Sequence, residues 1–137
     1  MLGIFDENKV QMNKIILSFL LSVFTFISYA QDFEKVRLAL ENGNVTELTS
    51  LLDATVDLSL NDKDYNLGRG EVDAKLRAFF IENQPQSVKL IHKGVSKKGV
   101  HYMIGALKSS NGDYRVTVYM HNVAGQYLIQ SLELEKD

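Results

Sequence analysis

The chain has no cysteine. That excludes a disulfide framework, thiol nucleophiles and thiolate-ligated metal. It also removes the residue that a bacterial lipoprotein needs just after its leader. Proline occurs once, at Pro85, and no repeat or low-complexity segment is visible. Neither charge sign dominates: the formal net charge is -2, and the only basic cluster is Lys97-Lys98. A binder of the phosphate backbone carries a basic stripe, so nucleic acid is not an expected partner. No apolar run reaches the roughly 20 residues of a membrane-crossing helix.

What is present begins with a leader. Met12-Asn13-Lys14 opens it, an apolar run follows from Ile15 to Ile27, and Ser28-Tyr29-Ala30 closes it. A charged start, a short greasy middle and small residues at the exit make a secretory signal peptide cut after Ala30. The expected division is an upstream mis-start over 1–11, a signal peptide over 12–30 and one mature domain over 31–137. The product is then periplasmic or secreted, with no membrane anchor after cleavage.

The mature part reads as two short helices, a strand, a long helix and four strands. Asp32 is a plausible N-cap, and Phe33, Val36 and Leu40 fall on one helical face. Gly43 suits the left-handed cap position. Asn44-Val45-Thr46-Glu47 has capping-box spacing for a second helix; its match to a glycosylation acceptor is better explained by that cap. Val56-Asp57-Leu58-Ser59-Leu60 alternates as a half-buried strand, and Asn61 to Gly68 reads as a polar loop. From about Gly70 to Asn83, Val72, Leu76, Phe79 and Phe80 make an apolar helical stripe that Pro85 ends. Four strands follow: Ser87–Val95, His101–Lys108, Tyr114–His121 and Tyr127–Glu135. Their tight connections, among them Asn111-Gly112, require an antiparallel meander.

Helices and strands are segregated, so the class is α+β. The meander has an apolar face to cover and the long helix carries the matching stripe. The sheet is therefore expected to curl around that helix, leaving a cone that can hold a pocket. This order of elements resembles the nuclear-transport-factor-2-like fold, also called cystatin-like. The likeness is closer at Asn42-Gly43-Asn44, Ala78-Phe79-Phe80, Ile91-His92-Lys93-Gly94 and Tyr102-Met103-Ile104-Gly105. It continues through Asn111-Gly112-Asp113-Tyr114-Arg115-Val116 and Tyr127-Leu128-Ile129-Gln130-Ser131-Leu132, with its Glu133-Leu134-Glu135-Lys136 tail. These stretches resemble a family of small exported bacteroidete proteins known only as a domain of unknown function. The resemblance covers Phe33 to the C-terminus and implies a fold and an exported setting, with no established activity.

Few residues suggest chemistry. Alternation places His92 on the side of Val88 and Leu90, inside the cone, where it could shuttle protons. His101 and His121 sit at strand ends and read as exposed and structural. Enzymes of the resembled fold pair a carboxylate base with a tyrosine donor, for which Asp57, Tyr102 and His92 supply the types. Asp57 alternates with Val56 and Leu58 and so faces water. Asp62, Asp64 and Asn66 alternate as in a calcium loop, with Asp73 in the twelfth position. Leu67 stands where that loop demands glycine, so turn chemistry explains them better. No metal, and no cofactor of another kind, is called for. Lys89, Arg115, Thr117 and Tyr119 share the other sheet face, a surface for a homodimer or another exported protein. The expected function is an exported, non-catalytic ligand-binding or protein-interaction domain acting on an unknown small molecule or exported protein. The alternative is a small-molecule isomerase or hydrolase using a pocket inside the cone.

Overall fold

The structure, a computed structural model, describes the backbone of residues 3–137 and the side chains of residues 9–18 and 32–137. The chain divides into two compact units, Met1–Phe33 and Glu34–Asp137. The first helix, α1, spans Gly3–Glu41 without a break. Asp32 is therefore interior to a helix, not its N-cap. Because the helix already runs through the residues before it, the preceding turn supplies carbonyls to the N–H groups that a cap would otherwise have to satisfy. In the N-terminal unit Val10, Met12, Ile15, Ile16 and Leu17 are all exposed.

In the C-terminal unit, α1 ends as its sequence dictates. Gly43 takes φ 61. The N–H of Asn44 reaches the Ala39 carbonyl at 2.8 Å and that of Gly43 the Leu40 carbonyl at 3.1 Å. This is the Schellman closure that a left-handed glycine permits. Helix α2 (Val45–Ser50) starts at once, with Asn44 Oδ1 accepting from the Glu47 N–H at 3.1 Å.

Strand β1 (Leu52–Leu60) then pairs with β2 (Lys63–Gly68), where a polar loop was expected. The turn between them explains the difference. Asn61 and Asp62 both adopt positive φ, 49 and 64. That is the two-residue hairpin geometry whose twist matches its strands, and short polar side chains tolerate it. Helix α3 (Arg69–Glu82) follows β2 directly, and Val72, Leu76, Phe79 and Phe80 are buried along it. Strands β3 (Pro85–Val95), β4 (His101–Ser109), β5 (Gly112–Val123) and β6 (Gln126–Lys136) form the antiparallel meander.

One six-stranded sheet results, in the order β2-β1-β6-β5-β4-β3. Its β1–β6 pairing is parallel, with Leu58 beside Leu132. The long excursion through α3 and the meander supplies the crossover that parallel neighbours require. On the inner face Val56, Leu58, Met103, Leu107, Val116, Val118, Leu132 and Leu134 are fully or almost fully buried. Helix α3 covers them. Its Lys75 ammonium lies 4.1 Å from the Tyr65 ring centre on β2, and its Phe79 ring is 5.1 Å from Tyr114 on β5. Those strands stand three places apart in the sheet, roughly 14 Å at ordinary strand spacing. One helix meets both because the sheet bends around it. At the other end, the Arg37 guanidinium of α1 donates to the Val88 carbonyl of β3 at 3.1 Å.

Candidate functional site: the outer face of the sheet

Two sites compete: the interior between α3 and the sheet, and the outer face. The interior is filled by the aliphatic residues above together with Leu76, Phe79 and Tyr114. Its polar group is Asn83, which is fully engaged. The Asn83 Nδ2 donates to the Phe79 carbonyl at 3.0 Å, and its Oδ1 accepts from the Tyr114 hydroxyl at 2.8 Å. Among the described residues no buried side-chain nitrogen or oxygen lacks a partner. Phe79 and Phe80 are both buried, Leu90 is half-buried, and Ile104 lies on the outer face beside Thr117.

His92 is also on the outer face. Leu90 pairs with Gly105, but His92 pairs with Ile104, so Ile91 is an extra residue in β3. Such a bulge reverses the alternation beyond it. His92 therefore points away from Val88 and Leu90, contrary to the expectation from simple alternation. There its Nε2 lies 3.1 Å from the Tyr102 hydroxyl. Gly94 makes this possible. It pairs with Tyr102, and a Cβ at Gly94 would stand 2.7 Å from the Tyr102 hydroxyl. Without that side chain the tyrosine lies across β3. The Tyr119 ring follows on β5, 6.3 Å from Tyr102.

Cross-strand registers extend this row. Tyr102 pairs with Tyr119, Tyr119 with Ser131, Ser131 with Asp57, and Asp57 with Asn66. Asp57 is exposed, as alternation implied, and accepts from the Asn66 amide at 2.5 Å. It shares a face with Tyr102 but stands three strands away, roughly 14 Å. No triad forms from His92, Tyr102 and Asp57. The next rows carry Ile104, Thr117, Glu133, Ser59 and Asp64, then Lys89, Ala106, Arg115 and Glu135. Lys89, Arg115, Thr117 and Tyr119 do share one face. Glu135 is structural: it accepts from the Ser59 hydroxyl at 2.6 Å and the Asp62 N–H at 2.7 Å.

Nor do Asp62, Asp64, Asn66 and Asp73 converge. The first three line the β1–β2 hairpin, whereas Asp73 on α3 accepts from Thr49 at 2.7 Å and pairs with Arg77 at 2.7 Å. No group of three or more His, Asp or Glu placed to hold a metal ion occurs among the described residues. Two cavities lie outside the cone. One, about 490 Å³, sits where the α1–α2 turn meets α3, beside Arg77, Phe80, Ile81 and Pro85. The other, about 380 Å³, is on the outer face among Asp57, Ser59, Asp64, Asn66, Ser131 and Glu133.

His121, expected to be exposed, is half-buried, and its Nε2 lies 2.7 Å from Asp53 Oδ2. No sequence signal links these residues, which are 68 positions apart. The Ala54 N–H, first, and His121, second, hold the Asp53 carboxyl below its ordinary value of 3.8. A depressed carboxylate stabilises the fold above its unfolded pKa, and that stability is lost as pH falls through the lowered value. Asp53→Asn should therefore lose less stability than the parent below pH 3.8, in urea melts recorded across that range.

A bent sheet wrapped on α3, with the end of α1 and the short α2 before it, defines a nuclear-transport-factor-2-like fold. The chain belongs to the DUF4783 family, a domain of unknown function, whose model matches residues 33–135. A DUF4783 family protein from Bacteroides uniformis is 28% identical and superposes with a TM-score of 0.72 over 76% of this chain and 95% of its own. One from Bacteroides fragilis is also 28% identical, with a TM-score of 0.71 over 75% and 96%. A designed protein, "Rd1NTF2_04 with long sheet", is 17% identical with a TM-score of 0.58 over 77% and 97%, and shares the fold. No curated protein sequence matches the chain. The match takes in nearly the whole of both Bacteroides chains, 95% and 96% of their lengths. Among the described residues, no helix is long and apolar enough to cross a membrane.

Proposed function

We propose that this chain is an exported, non-catalytic binding or interaction domain whose contact surface is the outer face of the sheet. The observation that carries the reading is where the functional groups lie. The cone interior is apolar and filled, whereas His92, Tyr102, Tyr119, Arg115 and Glu133 are displayed outside it. Exposed tyrosine and arginine are the side chains enriched at interfaces. A small-molecule isomerase or hydrolase would need an open interior with converging polar groups, and the apolar packing there weighs against it.

Methyl-resolved NMR of the domain, residues 31–137, tests this. Met103 and Met120, buried at 0% and 1% exposure, report on the interior. Adding 1-anilinonaphthalene-8-sulfonate should leave both methyl signals in place. A saturable shift at either would mean an accessible cavity and favour the enzyme reading.

Export has its own support. Val10, Ile15, Ile16 and Leu17 face solvent, a poor end state for a helix that stays on the mature protein. Protein recovered from the envelope of a bacteroidete host should begin at Gln31 on N-terminal sequencing. Recovery with residues 12–30 still attached would overturn the leader assignment.

A further inference from the structure

The α1–α2 turn, α3 and the start of β3 line a cavity of about 490 Å³. We infer that it binds an extended peptide by one large apolar side chain and the two peptide links that flank it. The site is separate from the outer sheet face and from the cone interior, so it does not rest on the reading above. Its volume is that of an ordinary small-ligand pocket. A Cβ at Gly43 would already touch the Pro85 ring, at 3.4 Å, and the bare glycine leaves that space empty. The walls are apolar: Val45 and Phe80 are buried, and Pro85 is half-buried beside them. Ile81 also lines the cavity with 83% of its surface exposed, the most of any large apolar side chain among the described residues. It buries almost nothing in its own fold, so an incoming apolar group gains by covering it.

Three polar side chains line the same cavity: Asn42, Gln84 and Arg77. Two of them spring from fixed backbone. The Asn42 N–H donates to the Leu38 carbonyl at 3.0 Å. The Gln84 N–H donates to the Ser110 hydroxyl at 3.0 Å, and its carbonyl accepts from the Ser110 N–H at 2.9 Å. Yet neither carboxamide makes a hydrogen bond of its own among the described residues. Arg77 directs its Nε to Asp73 at 2.7 Å and its Nη2 to Thr46 at 3.1 Å, which leaves Nη1. Asp73 matches its charge, so the cavity offers donors and acceptors without a net charge. That disfavours a carboxylate, a phosphate or an amine as the ligand. A carboxamide carries the same donor and acceptor as a peptide link. Two of them at an apolar pocket suit the links on either side of one residue. Strand addition is not the means. Although β3 is an edge strand, it opens on Pro85, which has no N–H, and the Gln84 backbone is already paired.

Heteronuclear NMR of the full chain with N-acetyl-leucine methylamide tests it. The side-chain amide signals of Asn42 and Gln84 and the methyl signals of Ile81 should shift together and saturate in the millimolar range, as expected of so small a ligand. N-acetyl-serine methylamide keeps the two links without the apolar group; isoamyl alcohol keeps the apolar group without the links. Each should bind about tenfold more weakly. Asn42→Ala with Gln84→Ala should weaken the leucine compound by about tenfold, and Ile81→Ser by about threefold. All three residues are exposed, and unchanged Met103 and Met120 signals will show that the variants are folded. The absence of a saturable shift overturns the inference. So does a control compound that binds as well as the leucine compound, or a folded double variant with the parent's affinity. A shift at Met103 or Met120 of the parent, with Asn42 and Gln84 unmoved, would overturn it too and would count separately against the filled interior.

Discussion

Replacing Phe79 by alanine should destabilise the domain by about 3–5 kcal/mol, the usual range for an aromatic truncated in a packed core. Phe79 is 7% exposed. Its ring meets Phe80 at 5.6 Å and Tyr114 at 5.1 Å, both edge-on. It is thus part of the link between α3 and the bent sheet, and the site offers little freedom to collapse because β4, β5 and β6 are locked in a ladder. Domains of this size are stable by about 5–15 kcal/mol, so much of the total is at stake. Urea unfolding followed by circular dichroism measures it. A loss below about 1 kcal/mol would mean that α3 is not held by the sheet as described.

The second large effect concerns the buried polar knot at the end of α3. Tyr114→Phe keeps the ring against Phe79 but leaves the Asn83 Oδ1 without its donor. Asn83→Ala strands the Tyr114 hydroxyl and also removes the side-chain bond to the Phe79 carbonyl. Each should cost about 1–3 kcal/mol, the penalty for orphaning a buried polar atom. The double variant should cost less than the sum, because the second change removes the atom that the first left unpaired. A double-mutant cycle with no coupling would mean that water already serves both groups. The contrast with Phe79→Ala separates packing from hydrogen bonding at one place in the fold.

The first effect sits on a residue that periodicity had placed correctly. The stripe through Val72, Leu76, Phe79 and Phe80 needed only 3.6-residue spacing to be read. The cap at Gly43 and Asn44, and the meander order, followed from glycine, asparagine and turn spacing. The missing strand β2 was legible in principle: Asn61-Asp62 is a two-residue turn pair, and Tyr65 and Leu67 alternate with Asp64 and Asn66. The polarity of the segment hid it, because an edge strand buries only one face.

The position of His92 was not legible. Alternation is a rule of period two, and one inserted residue inverts everything beyond it. Nothing in Leu90-Ile91-His92 marks Ile91 as that residue. Only the pairing of β3 with β4 decides it, through Gly105 and Ile104. The same bulge moved the most chemically suggestive histidine from the proposed pocket to the open face. That shift turns the candidate site from a cavity into a surface.

By itself, then, the sequence determined the α+β class, the apolar stripe of α3 and the meander, because local spacing and turn chemistry act over a few residues. The tertiary structure alone decided the parallel seam between β1 and β6, the contact of His121 with Asp53 and the face on which His92 lies. Those depend on which residues stand opposite each other across strands distant in the chain, and no local periodicity encodes that register.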